Sequence, residues 1–137
     1  MIWAVLDTNV VVSGFGWPGG SPGRVVDHAL RGDFLSVTSP ALVDELGRVL
    51  QYEKLEPFFP DPLGVALLWE TTCAVVRPTV TVAVCRDEAD NRMLETAVTG
   101  GADFVVTGDP DLLDLQEFEG VRIVSPKTFL EVLAAGG

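Results

Sequence analysis

The chain begins with MIWAVLDTNV (residues 1–10), in which an unbroken apolar run ends at an aspartate. The run, Ile2–Leu6, is too short for a helix and is followed by a turn signal, so it predicts a strand that is covered on both faces. Asp7 would then lie at the carboxyl end of a buried strand. Solvation is a weak explanation for a carboxylate in that position.

Strand-like and helix-like segments alternate along the rest of the chain. Three Ser-Pro pairs mark helix starts, because Ser accepts a backbone N–H bond at the N-cap and Pro fits the first helical turn. They predict helices over 21–31, 39–50 and 125–135, and the last two follow apolar runs at 34–37 and 121–124. Repeated strand–helix units predict an α/β fold with a mainly parallel sheet and helices on both faces.

The other segments complete this pattern. We predict a helical hairpin over 53–73 with a break at 59–62, a strand within the Val-rich run 75–84, a helix over 88–99 and a strand at 104–106. The glycine-rich run 14–23 is predicted as a flexible loop, and 10–12 either extends the first strand or begins the next element.

Composition narrows the possible functions. With 137 residues, 47% of them hydrophobic, we expect one domain, 1–137, with a sizeable core. The net charge of −11 argues against unspecific coating of polyanions. Two cysteines and one histidine provide neither a disulfide framework nor a zinc site. The N-terminus lacks the basic region of a signal peptide and no apolar run is long enough to cross a membrane, so we expect a soluble cytoplasmic protein.

Two further aspartates follow a strand in the same way as Asp7. Asp109, with Asp111 two residues later, comes directly after the predicted strand at 104–106. Ligand sites in parallel sheets lie beyond the carboxyl ends of the strands, so Asp7 and Asp109 converge if their strands are neighbours. The structural alternative is an Asx-turn or a helix cap, which Asp109 before Pro110 would suit.

Two helices also carry an acid on their apolar side. Glu45 falls three positions after Leu42 and four before Val49, so it lies on the apolar stripe of its helix, where a carboxylate needs a partner. A salt bridge at the edge of the stripe is the alternative. Asp87 looks like an N-cap, while Asp90 shares the buried side of the helix over 88–99.

Asp7, Glu45, Asp90 and Asp109 thus come from four regions and are expected to face one edge of the sheet. Like charges at close range raise pKa values or recruit a metal ion. Mg²⁺ or Mn²⁺ suits a site of oxygen ligands without His or Cys. Such ions activate water and clamp a phosphodiester, so hydrolysis of a nucleic-acid backbone is the natural chemistry.

At these residues the sequence resembles the PIN-domain family, and more narrowly its branch of small prokaryotic proteins assigned as toxins of toxin–antitoxin pairs. Four matching pieces occur in order over essentially the whole chain: LDTNV at 6–10, Glu45 in the Ser-Pro helix, DEADN at 87–91, and GADFVVTGDPDLL at 101–113.

The resemblance implies a fold, a site and an activity. The fold would be a three-layer α/β/α sandwich, and the activity a Mg²⁺- or Mn²⁺-dependent endoribonuclease. Its metal-binding catalytic quartet would be Asp7, Glu45, Asp90 and Asp109. The site would be completed by a further metal-binding acid and three polar supports, Asp111, Thr8, Asn9 and Thr107. Toxin members commonly form homodimers and are blocked by an antitoxin that reaches into the acidic cleft.

RNA would have to be held by the metal ions and by a few side chains near the cleft. Without the quartet, 9 basic against 16 remaining acidic residues still leave a charge of −7. Candidate RNA contacts are Arg24, Arg48, Arg86, Arg92 and, by base stacking, Trp17. The alternatives are solvated surface positions for the arginines and a core or dimer contact for Trp17.

Two other functions compete with the nuclease. An aspartyl-phosphate phosphatase with Asp7 as nucleophile usually wants a second acid two positions later, where Asn9 stands, and no lysine is well placed for it. The non-enzyme alternative is an interaction or regulatory module whose acidic cleft binds a basic partner peptide. Apolar surface around Leu67, Leu68 and Trp69 would then carry a dimer or partner contact.

Overall fold

The computed structural model describes residues 1–136, in which six strands form one sheet between two layers of helices. The strands are β1 (Trp3–Leu6), β2 (Leu35–Thr38), β3 (Ala74–Val75), β4 (Phe104–Val106), β5 (Glu117–Phe118) and β6 (Val121–Val124). The helices are α1 (Thr8–Gly16), α2 (Ser21–Leu30), α3 (Pro40–Leu50), α4 (Pro62–Thr72), α5 (Glu88–Thr99), α6 (Pro110–Leu115) and α7 (Pro126–Ala134), with a 3₁₀ helix at Glu53–Phe58.

The sheet has the order β3-β2-β1-β4-β6-β5, and only the pairing of β5 with β6 is antiparallel. Alternate residues of the central strands face opposite sides of it. Ala4 and Leu6 pack with α1, α2, α3 and α7, whereas Val5 packs with α5 and α6. The predicted α/β/α sandwich is therefore confirmed.

The two central strands, β1 and β4, end side by side at the carboxyl edge of the sheet. β1 and β4 pair in parallel from Ala4 with Phe104 to Leu6 with Val106, and the Asp7 N–H continues the ladder by donating to the Val106 carbonyl at 2.9 Å. The backbone leaves the sheet at its carboxyl edge after both strands, at Asp7 after β1 and at Thr107 after β4. α3 and α5 both begin at this edge, because α3 follows β2 directly and α5 leads back to the start of β4.

The helices predicted from the Ser-Pro pairs are present, but two of their three caps differ from the expectation. Ser125 accepts from the Thr128 N–H at 3.2 Å, as predicted. Ser39 occupies the N-cap of α3, but its hydroxyl pairs with the buried Thr96 hydroxyl at 2.8 Å. At α2 the capping residue is Gly20, so Ser21 is already helical.

The prediction of a flexible loop at 14–23 is wrong, since only residues 17–20 lie outside helices. Val10–Val12 belong to α1, which continues to Gly16, and α2 begins at Ser21. The side chain of Asp7 accepts from the Asn9 N–H at 3.3 Å and so starts α1 immediately after β1. Gly14 fits inside the helix because Val26 of α2 packs where a side chain would stand.

The Val-rich run and the hairpin also differ from expectation in part. Only Ala74–Val75 is a strand, since residues 76–87 are irregular and are held by side chains of α5. The hairpin exists as the 3₁₀ helix and α4. Trp69 is buried against Phe15, so of the expected surface patch only Leu67 and Leu68 are exposed. Within residues 1–136, no helix is long and apolar enough to span a bilayer.

Candidate active site

Asp7 lies at the centre of the carboxyl edge and is only 8% exposed. Its Oδ2 accepts a 2.7 Å hydrogen bond from the Thr107 hydroxyl. Burial raises the pKa of Asp7, and the Glu45 and Asp109 carboxylates add to the rise, against the lowering effect of its two hydrogen bonds. The hydrogen bonds therefore fix the orientation of the Asp7 carboxylate, and the Glu45 and Asp109 carboxylates repel it.

Asp109 follows β4 and faces the same edge. Its N–H donates to the Thr107 hydroxyl at 3.0 Å, and its Oδ1 accepts from the Asp111 N–H at 2.9 Å. Asp109 therefore caps α6, as the structural alternative proposed, while its charge still acts on Asp7 and Asp90. Capping engages one oxygen, so the cap does not prevent a ligand role. Asp111 is exposed at the rim.

Asp90 stands in the first turn of α5 and is also 8% exposed. Burial, followed by the carboxylates of Asp109, Asp87 and Asp7, raises the pKa of Asp90 to about 7. The prediction that Asp87 caps the helix is confirmed, because its side chain accepts from the Ala89 N–H at 2.9 Å. Asp90 is thus the acid for which the helix cap gives no explanation.

Glu45 reaches the cluster from α3. It is half-buried, and its Oε1 accepts a hydrogen bond from the Thr8 hydroxyl, so the first turn of α1 holds it in place. The alternative of a salt bridge is not observed: among residues 1–136, no basic side chain lies within 4.0 Å of the four acids. Asn9 is exposed beside the site and contacts Asp7 through its backbone N–H.

Two grooves adjoin the cluster. The first, which we call the acidic groove, has a volume of about 510 Å³ and is lined by Cys85, Arg86, Asp87, Asp90, Asp109 and Asp111, with apolar walls. The second, of about 520 Å³, is the α3–α5 groove and is lined by Glu45, Arg48, Asp87, Glu88 and Arg92 among others. Asp87 lines both, so the grooves meet at the start of α5.

The predicted RNA contacts are distributed unevenly. Arg86 and Arg48 line these grooves, whereas Arg24 is exposed on α2 and lines neither. Arg92 is engaged in ion pairs with Glu88 at 3.3 Å and Glu95 at 2.9 Å. Trp17 is 46% exposed and packs on Phe58, one length of α1, roughly 13 Å, from Asp7.

Asn91 is a buried residue of the site that sequence reasoning did not single out. It is 1% exposed, accepts from the Cys85 N–H at 2.8 Å and donates to the Cys85 carbonyl at 3.0 Å. It thereby holds the wall of the acidic groove against α5. Its signal in the sequence is an amide next to Asp90 at a position that a purely apolar core would fill.

The chemistry of the donor set fits a hard divalent cation. Every acid of the cluster offers oxygen atoms, and burial, followed by repulsion between the carboxylates, raises the pKa values of Asp7 and Asp90. In the described part of the chain, no three acidic, histidine or cysteine side chains already converge as ready-made ligands.

A mainly parallel α/β sandwich with acids from four segments at its carboxyl edge defines a class of protein, the compact α/β domain with an acidic cleft. Within this class, the model of the PIN domain matches residues 4–111, and the chain therefore belongs to the PIN-domain family. Members of this family are generally nucleases and typically use a divalent metal ion.

Individual proteins extend the comparison. The chain is 28% identical over 141 aligned positions to Uncharacterized protein MJ1680 from Methanocaldococcus jannaschii, covering 95% of this chain and 90% of that protein. Two crystal structures share its fold. PAE2754 from Pyrobaculum aerophilum has a TM-score of 0.64 at 16% identity, covering 98% of this chain and 90% of that one. VapBC2 from Rickettsia felis, bound to a DNA fragment from its promoter, has a TM-score of 0.62 at 11% identity, covering 90% and 98%.

Proposed function

We propose that this protein is a cytoplasmic, Mg²⁺- or Mn²⁺-dependent endoribonuclease that hydrolyses RNA phosphodiester bonds. One observation carries the proposal: Asp7, Glu45, Asp90 and Asp109 lie near one another at one edge of the sheet, and within residues 1–136 no basic side chain pairs with any of them. Buried charges that only stabilise a fold are normally paired, and an unpaired cluster of this kind is costly. This loss of stability is expected where the carboxylates bind a ligand that offsets their charge.

Asp7, Glu45, Asp90 and Asp109 would hold the metal ions, with Asp111 as a further ligand at the rim. When bound, Mg²⁺ or Mn²⁺ lowers the pKa of a water molecule and stabilises the phosphodiester in an in-line displacement. Thr107 and Thr8 keep the carboxylates of Asp7 and Glu45 oriented through their hydroxyl groups. Without a metal ion, burial and the neighbouring carboxylates raise the pKa of Asp90 to about 7, so an ion that binds near neutral pH would displace a proton from part of the molecules.

The site is tested by cleavage of labelled single-stranded and structured RNAs with and without Mn²⁺. Asp7→Asn should abolish Mn²⁺-dependent cleavage while leaving the protein folded, because the amide keeps the size of the side chain and loses the charge. Asp27→Asn is the matched control, since Asp27 is exposed on α2 and lines neither groove. Full activity of Asp7→Asn would overturn the assignment.

We further propose that the nuclease is the toxin of a toxin–antitoxin pair and forms a homodimer. Its fold likeness to the VapBC2 structure supports the first part, and the exposed Leu63, Leu67 and Leu68 on α4 offer apolar surface for the second. Expression of the wild type but not of Asp7→Asn should arrest growth. Light scattering measures the dimer, and a basic antitoxin segment is expected to inhibit cleavage from the acidic groove.

Calorimetry separates this function from a non-catalytic module that receives a basic peptide. A nuclease of this kind binds Mn²⁺ at neutral pH, and the affinity falls in Asp7→Asn. Absence of Mg²⁺ and Mn²⁺ binding, together with binding of an arginine-rich peptide, would favour the module.

A further inference from the structure

The Val-rich segment is a strand-forming sequence without a strand partner. Threonine and valine, which favour strands, alternate from Thr79 to Val82, and no charged residue occurs over 78–85. The segment continues from the edge strand β3 without a turn or a bend as far as residue 84, yet within residues 1–136 nothing over 77–84 pairs with another strand. Charged or proline residues within an edge strand normally prevent pairing with another chain, and 79–84 contains neither.

One side of this segment is occupied by α5. The Val82 N–H donates to Oε2 of Glu95 at 2.8 Å, and the Val82 carbonyl accepts from the Arg92 guanidinium at 3.3 Å. In an extended chain, the N–H and carbonyl groups of successive residues point to opposite edges. Those of Thr81 and Ala83 therefore point away from α5.

The outer side of the segment is free. Thr79, two positions before Thr81, points the same way, and the side chains of Thr79, Thr81 and Ala83 are all exposed. In the part of the chain that the structure describes, the backbone N–H and carbonyl groups of these three residues have no hydrogen-bond partner. They form a row of donors and acceptors at alternate positions, which we call the outer edge, and this is what an added strand needs.

The two ends of the outer edge carry opposite charges. Arg77, just before it, is exposed, and among residues 1–136 no carboxylate lies within 4.0 Å of its guanidinium. Val84, just after it, lines the acidic groove, in which four carboxylates stand against the single guanidinium of Arg86. A strand that pairs antiparallel and has the same order of charges would bring its own arginine to this groove and its own groove to Arg77. A second copy of this chain has that order.

We propose that two copies of the chain pair antiparallel through their outer edges, with Thr81 at the two-fold axis. Thr79 then lies opposite Ala83 of the second copy, and the three pairs of residues form about six hydrogen bonds. Arg77 falls opposite position 85 of the second copy, beside the exposed Asp87 at the rim of its acidic groove. Each copy thus adds an arginine to the groove of the other.

This inference rests on the proposed function and assigns an interface to its homodimer. α4 packs beside β3, so the apolar surface of α4 lies at the same edge of the sheet as the paired segments. Both copies have a net charge of −11, and the pairing avoids most of their repulsion because its centre is uncharged and its ends are complementary.

The test measures self-association of the full chain by sedimentation velocity over a range of concentrations. Thr81→Pro removes an outward N–H from each copy. Val80→Pro is the matched control, because the Val80 N–H points to the α5 side and has no partner there within residues 1–136. Arg77→Glu reverses the charge at one end of the outer edge, and Arg24→Glu is its control, since Arg24 is exposed on α2 and does not line the acidic groove.

The wild type should dimerise, and Thr81→Pro should raise the Kd of the dimer about 10- to 100-fold, because the two hydrogen bonds at the axis are lost. Arg77→Glu should raise it about tenfold, since both arginine contacts become repulsive. The two controls should leave the Kd unchanged. Hydrogen exchange of the Thr81 N–H should slow as the dimer forms, and that of the Val80 N–H should not. Circular dichroism checks folding, and Arg77→Glu, at an exposed position, tests the pairing even if the proline variant unfolds.

The proposal is overturned if the wild type stays monomeric, or if folded Thr81→Pro and Arg77→Glu dimerise like the wild type, since the dimer would then use another surface. A monomeric wild type in which an arginine-rich peptide slows exchange of the Thr81 N–H would assign the outer edge to a peptide instead. RNA cleavage in Mn²⁺ is measured in parallel. A monomer that cleaves RNA would refute the pairing alone, and a wild type that pairs through the outer edge without cleaving RNA would refute the nuclease alone.

Discussion

The hydroxyl of Thr107 donates a 2.7 Å hydrogen bond to Oδ2 of Asp7 and so joins the carboxyl ends of the two central strands. Thr107 is fully buried, and the same hydroxyl accepts from the Asp109 N–H at 3.0 Å. One side chain therefore orients the Asp7 carboxylate and holds the backbone of Asp109 beside it. We therefore expect the loss of the Thr107 hydroxyl to reduce RNA cleavage more strongly than it reduces the stability of the fold.

Thr107→Val should separate these two effects, because valine keeps the shape and removes the hydroxyl. We expect the free energy of unfolding to fall by about 1–2 kcal/mol, since Asp7 and the Asp109 N–H lose a buried partner. Mn²⁺-dependent RNA cleavage should fall about 10- to 100-fold, as is typical when a residue that orients a metal ligand is lost. Thr107→Ser should restore most of the activity. Urea denaturation and cleavage rates measure both quantities, and a fully active valine variant would contradict the positioning role.

Asp90 should make the metal-free protein less stable as the pH rises. Its pKa in the folded state is about 7, above the ordinary value of 3.8, so between these values the folded state binds more protons than the unfolded state. The stabilisation from protonated Asp90 is complete below about pH 4 and is lost as the pH rises through 7. Asp90→Asn should therefore stabilise the protein in EDTA at pH 8 by on the order of 2–4 kcal/mol, and far less at pH 4.

The measurement is urea denaturation in EDTA at both pH values. Asp27→Asn serves as the control, because Asp27 is exposed on α2 and lines neither groove. An Asp90→Asn variant with the same gain at both pH values would show that the buried charge is not the cause.

Divalent ions should reverse this instability and release protons as they bind. Ligand carboxylates must be ionised, so Mn²⁺ at pH 7 displaces the proton that Asp90 holds in part of the molecules. At 100 times its Kd, Mn²⁺ should stabilise the fold by about 2.7 kcal/mol. Calorimetry in two buffers of different ionisation enthalpy counts the protons. Glu45→Gln should weaken binding, whereas Glu131→Gln on the exposed side of α7 should not, and equal affinity of both variants would remove Glu45 from the site.

The sequence predicts best those parts of the fold that depend only on residues close together in the chain. The apolar run of β1, the acid that ends it and the Asp87 cap of α5 depend on neighbours in sequence, and all three are observed. The apolar stripe of α3 also placed Glu45 toward the interior without a view of its partner Thr8.

The predictions that are wrong concern segments whose structure depends on contacts with residues distant in sequence. The Val-rich run 75–84 has strong strand propensity, but only Ala74–Val75 pairs with β2, and the buried Glu95 carboxylate accepts the Val82 N–H at 2.8 Å instead of a neighbouring strand. α1 was missed because glycines usually break helices, whereas Gly14 here allows the close approach of α2. The distribution of arginines over the grooves likewise depends on tertiary structure.

Asn91→Ala tests whether the segment over 76–87 is held in place by α5. The variant leaves the N–H and the carbonyl of Cys85 without the partners that they have at 2.8 and 3.0 Å, and it opens a space where a buried side chain stood. We expect the free energy of unfolding to fall by about 2–3 kcal/mol. Trypsin should also cleave faster after Arg86, which follows Cys85 in the loosened segment.

The matched control is Glu88→Ala, which removes only the exposed partner of Asn91 at 3.1 Å and the ion pair of Glu88 with Arg92. Exposed ion pairs contribute little, so this variant should lose less than about 0.5 kcal/mol and keep its resistance to trypsin. If both variants are cleaved at the same rate, the amide of Asn91 does not hold the wall of the acidic groove. If only Asn91→Ala is cleaved faster and RNA cleavage declines with it, the wall beside Asp90 depends on this one buried amide.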